Sequence, residues 1–216
     1  MTDNRTGRSL IVTLCVLLSA GCGKKASDEI DFGAVKNSVY QNEYFGFKVT
    51  LPSDWSVQDQ AMRQRLAEQG KQMMAGDDKG IKAVLKASEL QTINLLAAFQ
   101  HPVGTPVPFN PSIMCVAERV SGLPGIKRGK DYHFHARKLM ESSQVKFEFP
   151  ADIPAVTLGG VEFDVMPVTM TVGPSTAQQK YYAAIRKGYA LNFIVSFTTA
   201  DEEAVLQHIL EGVSFR

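Results

Sequence analysis

At 216 residues, 44% apolar and 21% charged, the chain has the makeup of a globular protein rather than a disordered or fibrous one. That is enough for one compact domain beside a targeting segment. Arg5 and Arg8 against Asp3 in the first 21 residues leave 21 basic and 21 acidic side chains of the chain's 23 and 22. A neutral remainder has no long-range field to concentrate nucleic acid or anionic membrane, so neither is expected as a main ligand.

The N-terminus has three parts. Arg5 and Arg8 form a positive region, Leu10 to Leu18 a short apolar run, and Ser19-Ala20-Gly21 a set of small residues before Cys22. The run is too short to remain as a spanning helix and has the layout of a secretory signal. Leu18-Ser19-Ala20-Gly21-Cys22 resembles the bacterial lipobox, with the leucine one place earlier than usual. The resemblance implies a signal peptide over 1–21, diacylglycerol on Cys22 and anchoring to the extracytoplasmic side of a membrane. Gly23 stands where inner-membrane retention uses Asp, which favours the periplasmic face of the outer membrane. Residues 22–37 are mostly polar and read as a tether, leaving 38–216 as a single globular domain. Cys115 is then the one unmodified cysteine, so an internal disulfide is excluded. Its apolar neighbours Ile113, Met114 and Val116 make it a small core residue.

Tyr40 to Trp55 reads as a hairpin, with Phe47, Val49 and Leu51 alternating against Lys48 and Thr50 and Pro52 ending the ladder. Asp59 to Met74 places Met62, Leu66 and Met73 at helical intervals, and Ile81 to Ser88 gives a second short helix after Gly76-Asp77-Asp78. Thr92 to Gln100 is a strand apolar on both sides, with Ile93, Leu95, Ala97 and Phe99 expected on one face. A proline-rich loop, 102–111, leads to a buried strand from Ser112 to Val120. A helix over Asp131 to Glu141 is expected to be capped by Asp131.

The last third is the most regular. Phe147 to Phe149 ends at Pro150, and a long strand runs from Val161 to Val172. Its apolar phase changes beside Pro167, which predicts a β-bulge. Gln179 to Arg186 and Tyr189 to Thr198 form a hairpin through Lys187-Gly188, with Leu191, Phe193, Val195 and Phe197 on one face. Thr199 and Glu202 match a capping box for a helix ending at Gly212, and Val213 to Phe215 closes as a short strand.

Tyr44-Phe45-Gly46-Phe47 with Pro52 and Trp55, then Leu158-Gly159-Gly160 with Phe163, Lys187-Gly188-Tyr189-Ala190-Leu191 and Val213-Ser214-Phe215, resemble the PsbP family. That family includes Mog-type proteins and DcrB-like bacterial lipoproteins. The resemblance covers most of 38–216, with 59–130 poorly matched. It implies an α+β fold, an antiparallel β-sheet with helices packed on both faces (a PsbP-like α/β/α sandwich). It also implies binding or assembly roles without catalysis, and it carries over no site residue.

Catalytic patterns are sparse. Gly173-Pro174-Ser175-Thr176-Ala177 is one residue short of a nucleophile elbow and reads as a hairpin loop, and Ser143-x-x-Lys146 has no partner motif. Gly125-Ile126-Lys127-Arg128-Gly129-Lys130 falls one residue short of a phosphate loop, with Asp131 in place of Ser or Thr. It reads as a solvated basic turn. His133 and His135 point roughly 200° apart on a helix and cannot share an ion; no metal or cofactor is expected.

These residues point to a noncatalytic envelope lipoprotein that binds an unidentified envelope protein as an accessory or assembly factor, with Tyr44, Phe109 and Arg128 as candidate contacts. The alternative is a small-ligand or lipid carrier with a cavity between sheet and helices lined by Phe99, Phe109 and Tyr132.

Overall fold

A computed structural model of the chain describes residues 30–216 apart from 90 and 152. The expected signal sequence and Cys22 lie outside the described residues.

The fold is α+β and antiparallel. A large sheet contains β4 (Ser56–Val57), β5 (Thr92–Phe99), β6 (Ser112–Arg119), β11 (Tyr189–Phe197), β10 (Ser175–Arg186) and β9 (Val161–Val172), in that order. The far edge of β9 is shared by β7 (Lys146–Glu148) and β8 (Ile153–Leu158). A smaller sheet has the order β1 (Ala34–Lys36), β2 (Val39–Asn42), β3 (Phe47–Thr50), β12 (Ser214–Phe215). Strand β1 therefore draws residues 34–36, expected as tether, into the folded domain. Asp31 fastens that entry: its carboxylate accepts from the Gly33 and Glu43 amides, and its carbonyl accepts from the buried Asn42 amide at 2.6 Å.

The small sheet and helix α4 (Ala200–Glu211) cover one face of the large sheet. Phe47 meets Phe193 edge-on with centroids 5.4 Å apart, and Phe163 lies 5.7 Å from Phe193. Leu206, Ile209 and Leu210 of α4 join them with Cys115, Ile113, Leu191 and Val195 in one continuous core. Thr199 caps α4, accepting from the Glu202 amide while the Glu202 carboxylate accepts from Thr199 N–H, as the sequence indicates. Lys187 and Gly188, at φ 50° and 80°, form the tight turn between β10 and β11.

Helices α1 (Gln60–Ala75), α2 (Lys79–Glu89) and α3 (Gly129–Glu141) lie on the opposite face. α1 and α2 sit over β5, at one side of the sheet, and α3 over β9 and β10 at the other. At Gly129 the start of α3 comes so close to β10 that an added Cβ would stand 2.0 Å from the Ala183 carbonyl oxygen, so only glycine fits. Asp59 caps α1 by accepting from Met62 N–H at 2.7 Å.

Three details differ from the sequence reading. In β5 the register shifts between Asn94 and Leu96, leaving Leu95 as the extra residue of a bulge. Ile93, Leu96 and Ala98 therefore pair with the core residues Ala117, Cys115 and Ile113, while Ala97 pairs with Met114 on the other face. In β9 no bulge occurs, because pairing with β10 runs unbroken through Pro167. The apolar phase changes because the covered face changes. Phe163 and Val165 face the small sheet and α4, whereas Met166 and Val168 pack with Met140 of α3. Pro167 falls in the stretch that neither β8 nor β7 pairs, where a missing N–H is tolerated. Finally, Asp131 is the third residue of α3 rather than its cap, and its carboxylate accepts from Lys127 N–H and Arg128 N–H.

Candidate functional site

The large sheet is wider than its helical cover. Between α1–α2 and α3 a cleft opens over the middle strands β6 and β11. Its larger hollow has a volume of about 610 Å³. Val116 and Ile194 form the floor with Tyr181, Met74 and Leu85 form one wall, and Tyr132, Ala136, Leu139 and Met140 of α3 form the other. A second hollow of about 310 Å³ shares Met74, Val116 and Tyr181 with the first and continues past Met114 and Met170 under α1. The volumes fall in the range of small-molecule sites, and the lining is predominantly apolar.

The mouth is apolar too. Val84 and Leu123 at its rim keep 54% and 52% of their surface in solvent. Exposed large apolar side chains grouped around a cavity are more informative than single ones scattered on a surface.

In the α1–α2 wall, α1 is pinned at its ends. At its start Arg63 donates to the carbonyls of Asn94 and Gln58, both at 3.0 Å, and at its end the Gln144 amide donates to Met74 O at 2.8 Å. Beyond that point Ala75, Ile81 and Leu85 cluster with Met74 and with Leu139 of α3. Met side chains suit such a wall, since the unbranched thioether adapts to the shape beside it.

Polar groups concentrate at one end. Tyr132 Oη donates to Glu118 Oε2 at 2.9 Å. Burial, followed by the Glu118 charge, pushes the Tyr132 hydroxyl well above its ordinary pKa, and burial likewise raises that of Tyr181. Both hydroxyls therefore remain protonated donors. Asn192, with its amide turned to satisfy both ends, donates to the carbonyls of Tyr182 at 3.0 Å and Phe193 at 3.3 Å.

Of the cavity residues expected from sequence, the cleft contains Tyr132 alone. Phe99 pairs with Ser56 and Ser112 at the opposite end of the sheet, and Phe109 is half-buried in the loop between β5 and β6 at that same end. The candidate partner contacts do not gather either. Tyr44 stacks edge-on with Phe45 and Tyr189 beneath Lys187, and Arg128 is held by Glu162 at 3.0 Å and Asp164 at 3.2 Å. Both are near the β10–β11 turn end of the sheet, away from Phe109. Sequence reading missed Val116, Leu139, Tyr181 and Ile194; the one available signal was the carboxylate of Glu118 closing an otherwise apolar strand.

The catalytic patterns resolve into local contacts. Ser175 is exposed where β10 leaves the Gly173-Pro174 turn, paired with Val172. Ser143 donates to Met140 O and Lys146 pairs with Glu148. In the 125–130 turn the amides of Lys127 and Arg128 are bound by Asp131 and that of Lys130 by Asp164, so they do not form an open phosphate cradle. Cys115 is fully buried, which raises its thiol pKa and suppresses the thiolate. His133 is buried while His135 lies at the rim of the cleft. Among the described residues no group of three or more His, Cys, Asp or Glu side chains is placed to hold a metal ion, and no helix is long and apolar enough to cross a membrane.

No protein-family model and no curated protein matches the chain. Among solved structures, cyanobacterial PsbP (CyanoP) from Synechocystis sp. PCC 6803 is similar with a TM-score of 0.49 and 12% identity, over 85% of this chain and 96% of that one. LpqN of Mycobacterium tuberculosis, involved in cell envelope biogenesis, is similar with a TM-score of 0.43 and 14% identity, over 78% and 82% of the two chains. PA94 from Pseudomonas aeruginosa, a protein of unknown function, has a TM-score of 0.42 at 14% identity, over 58% and 81%. These likenesses bring no site residue with them.

Proposed function

We propose that the protein is a noncatalytic binding protein of the cell envelope, anchored through Cys22, whose cleft carries an apolar, chain-like ligand. The supporting observation is the pair of joined hollows between the α1–α2 arm and α3, with an apolar floor and an apolar mouth. A site that binds without reacting needs shape and apolar lining, whereas catalysis needs a nucleophile, a base and an orienting group within reach. Ser175, Cys115 and His133 sit on separate elements, and none of them lines the larger hollow.

Binding of an envelope protein is the second reading, favoured by Leu123 and Val84, exposed along the rim, and by Phe134, exposed elsewhere on α3. A protein partner would anchor on such aromatic and apolar residues. Tyr44, Phe109 and Arg128 stay as proposed contacts only if two ends of the sheet are engaged at once.

The two readings separate on one experiment. The full-length protein is purified from its membranes beside Ala136→Trp, which fills the cleft from the α3 wall, and organic extracts of both are compared by mass spectrometry. An amphiphile near one per protein, absent from the variant, is expected. Equal extracts from both would leave the cleft without its ligand and favour the partner reading.

A further inference from the structure

We infer that the rim of the cleft around Leu123 and Val84 docks on the lipid bilayer itself, so that the mouth opens onto the membrane surface rather than into water. The inference rests on the anchoring through Cys22 proposed above. It follows from where the chain enters the fold, how far the anchor can reach, and which apolar side chains stand exposed at that end.

The described chain begins at Ile30, and Asp31 is bonded to Asn42 and Glu43 at the turn between β2 and β3. The next residue of that turn, Tyr44, accepts from Lys187 Nζ through its carbonyl and lies edge-on to Tyr189. Beside them Gly188 O accepts from Val120 N–H at 2.9 Å, and Val120 O accepts from Leu123 N–H at 2.9 Å. The entry of the chain, the β10–β11 turn and the 121–126 turn therefore share one end of the molecule. The eight Cα–Cα steps from Cys22 to Ile30 span at most about 29 Å. Strand β10, of 12 residues, runs about 37 Å from that end to the Gly173–Pro174 turn. A tether shorter than the sheet is long keeps the rim end, not the Gly173–Pro174 end, at the lipid surface.

The side chains presented there suit apolar insertion. Leu123, followed by exposed Pro124, and Val84 face solvent on either side of the mouth. Lys127, Arg128 and Lys130 follow in the chain, and Asp131, Glu162 and Asp164 lie against them. Three bases against three acids give little attraction to anionic head groups, so burial of the apolar rim carries the contact. A mouth seated in lipid passes an apolar chain between bilayer and cleft without exposing it to water.

The test reconstitutes the acylated full-length protein in vesicles of phosphatidylcholine. Cys115 is fully buried, so an environment-sensitive fluorophore can be placed on single introduced cysteines. Leu123→Cys and Val84→Cys report on the rim; Val103→Cys and Val172→Cys report on the opposite end of the sheet. At the rim the fluorophore is expected to be quenched by a lipid-borne nitroxide and shielded from aqueous iodide, with the reverse at the far end. Leu123→Asp, read from the fluorophore at Val84→Cys, should lower the docked-to-undocked ratio about ten-fold, the scale of burying one leucine. Ala136→Trp should keep the quenching pattern, so that loss of ligand and loss of docking are read apart. Iodide reaching Leu123→Cys and Val103→Cys alike would overturn the docking while leaving the anchor. Shielding at the rim without quenching from lipid would overturn it as well, since a second copy of the chain would then be the cover. Failure of the protein to float with the vesicles would instead overturn the anchoring through Cys22.

Discussion

The two faces of the large sheet are built from the same strands and finished differently. Phe193 and Ile194 are neighbours in β11 and point to opposite sides. Phe193 has rings of Phe47 and Phe163 against it and is fully buried, in a core continuous from the small sheet to α4. Ile194 lies on the floor of a cleft that helices flank but do not cover. One face supplies the stability that lets the other remain open, because the apolar area left unburied on the cleft side is stabilisation forgone.

The contrast predicts unequal costs for adjacent truncations. Phe193→Ala should destabilise the protein by about 3–5 kcal/mol, as removal of a ring from a closed core does. Ile194→Ala should cost only about 1 kcal/mol, since the floor already borders open space and no new sealed cavity forms. Denaturant unfolding of both variants reads the difference, and similar losses would mean that the cleft is closed in solution.

A smaller effect comes from buried tyrosines. Burial pushes Tyr182 up to about 12, and those of Tyr40, Tyr132 and Tyr181 are raised as well. The unfolded chain ionises near its ordinary value of about 10, before the folded one does. Stability from these groups is thus full below about pH 10 and declines as pH rises through about 12. Both faces contribute, Tyr40 and Tyr182 from the core and Tyr132 and Tyr181 from the cleft. Tyr132→Phe should flatten part of this alkaline decline, measured as unfolding free energy against pH. Smallest of the set is Thr199→Ala, which removes the cap of α4 and should cost about 1 kcal/mol in denaturant unfolding; that loss falls on the core side and should leave the lipid extracted with the protein unchanged.

The core face was largely legible in the sequence and the cleft face was not. Alternation over Tyr189 to Phe197, the Lys187-Gly188 turn and the Thr199–Glu202 pair are local signals, and each led to its element. The bulge at Leu95 left no such signal, because a strand apolar on both sides reads the same in either phase. The change of phase near Pro167 was real, yet its cause was a change in what covers β9 rather than an extra residue. The cleft depends on how far apart α1–α2 and α3 sit across the sheet, a distance that no local pattern encodes. The lining of its larger hollow comes from three helices, three strands and a turn, and only Tyr132 was placed in it beforehand. Phe99 and Phe109 suited an apolar cavity by residue type and lie at the wrong end of the sheet.

The most direct test of the open face is whether its occupant stabilises the protein. A ligand that binds only the folded state adds RT ln(1 + [L]/Kd) to stability, about 2.7 kcal/mol at a hundred-fold excess over Kd. Thermal unfolding of the full-length protein is followed before and after delipidation, beside Ala136→Trp treated in the same way. The wild type should lose several degrees on delipidation and regain them when the extracted lipid is returned, while the filled variant should shift in neither step. Identical behaviour of the two proteins would contradict a ligand in the cleft.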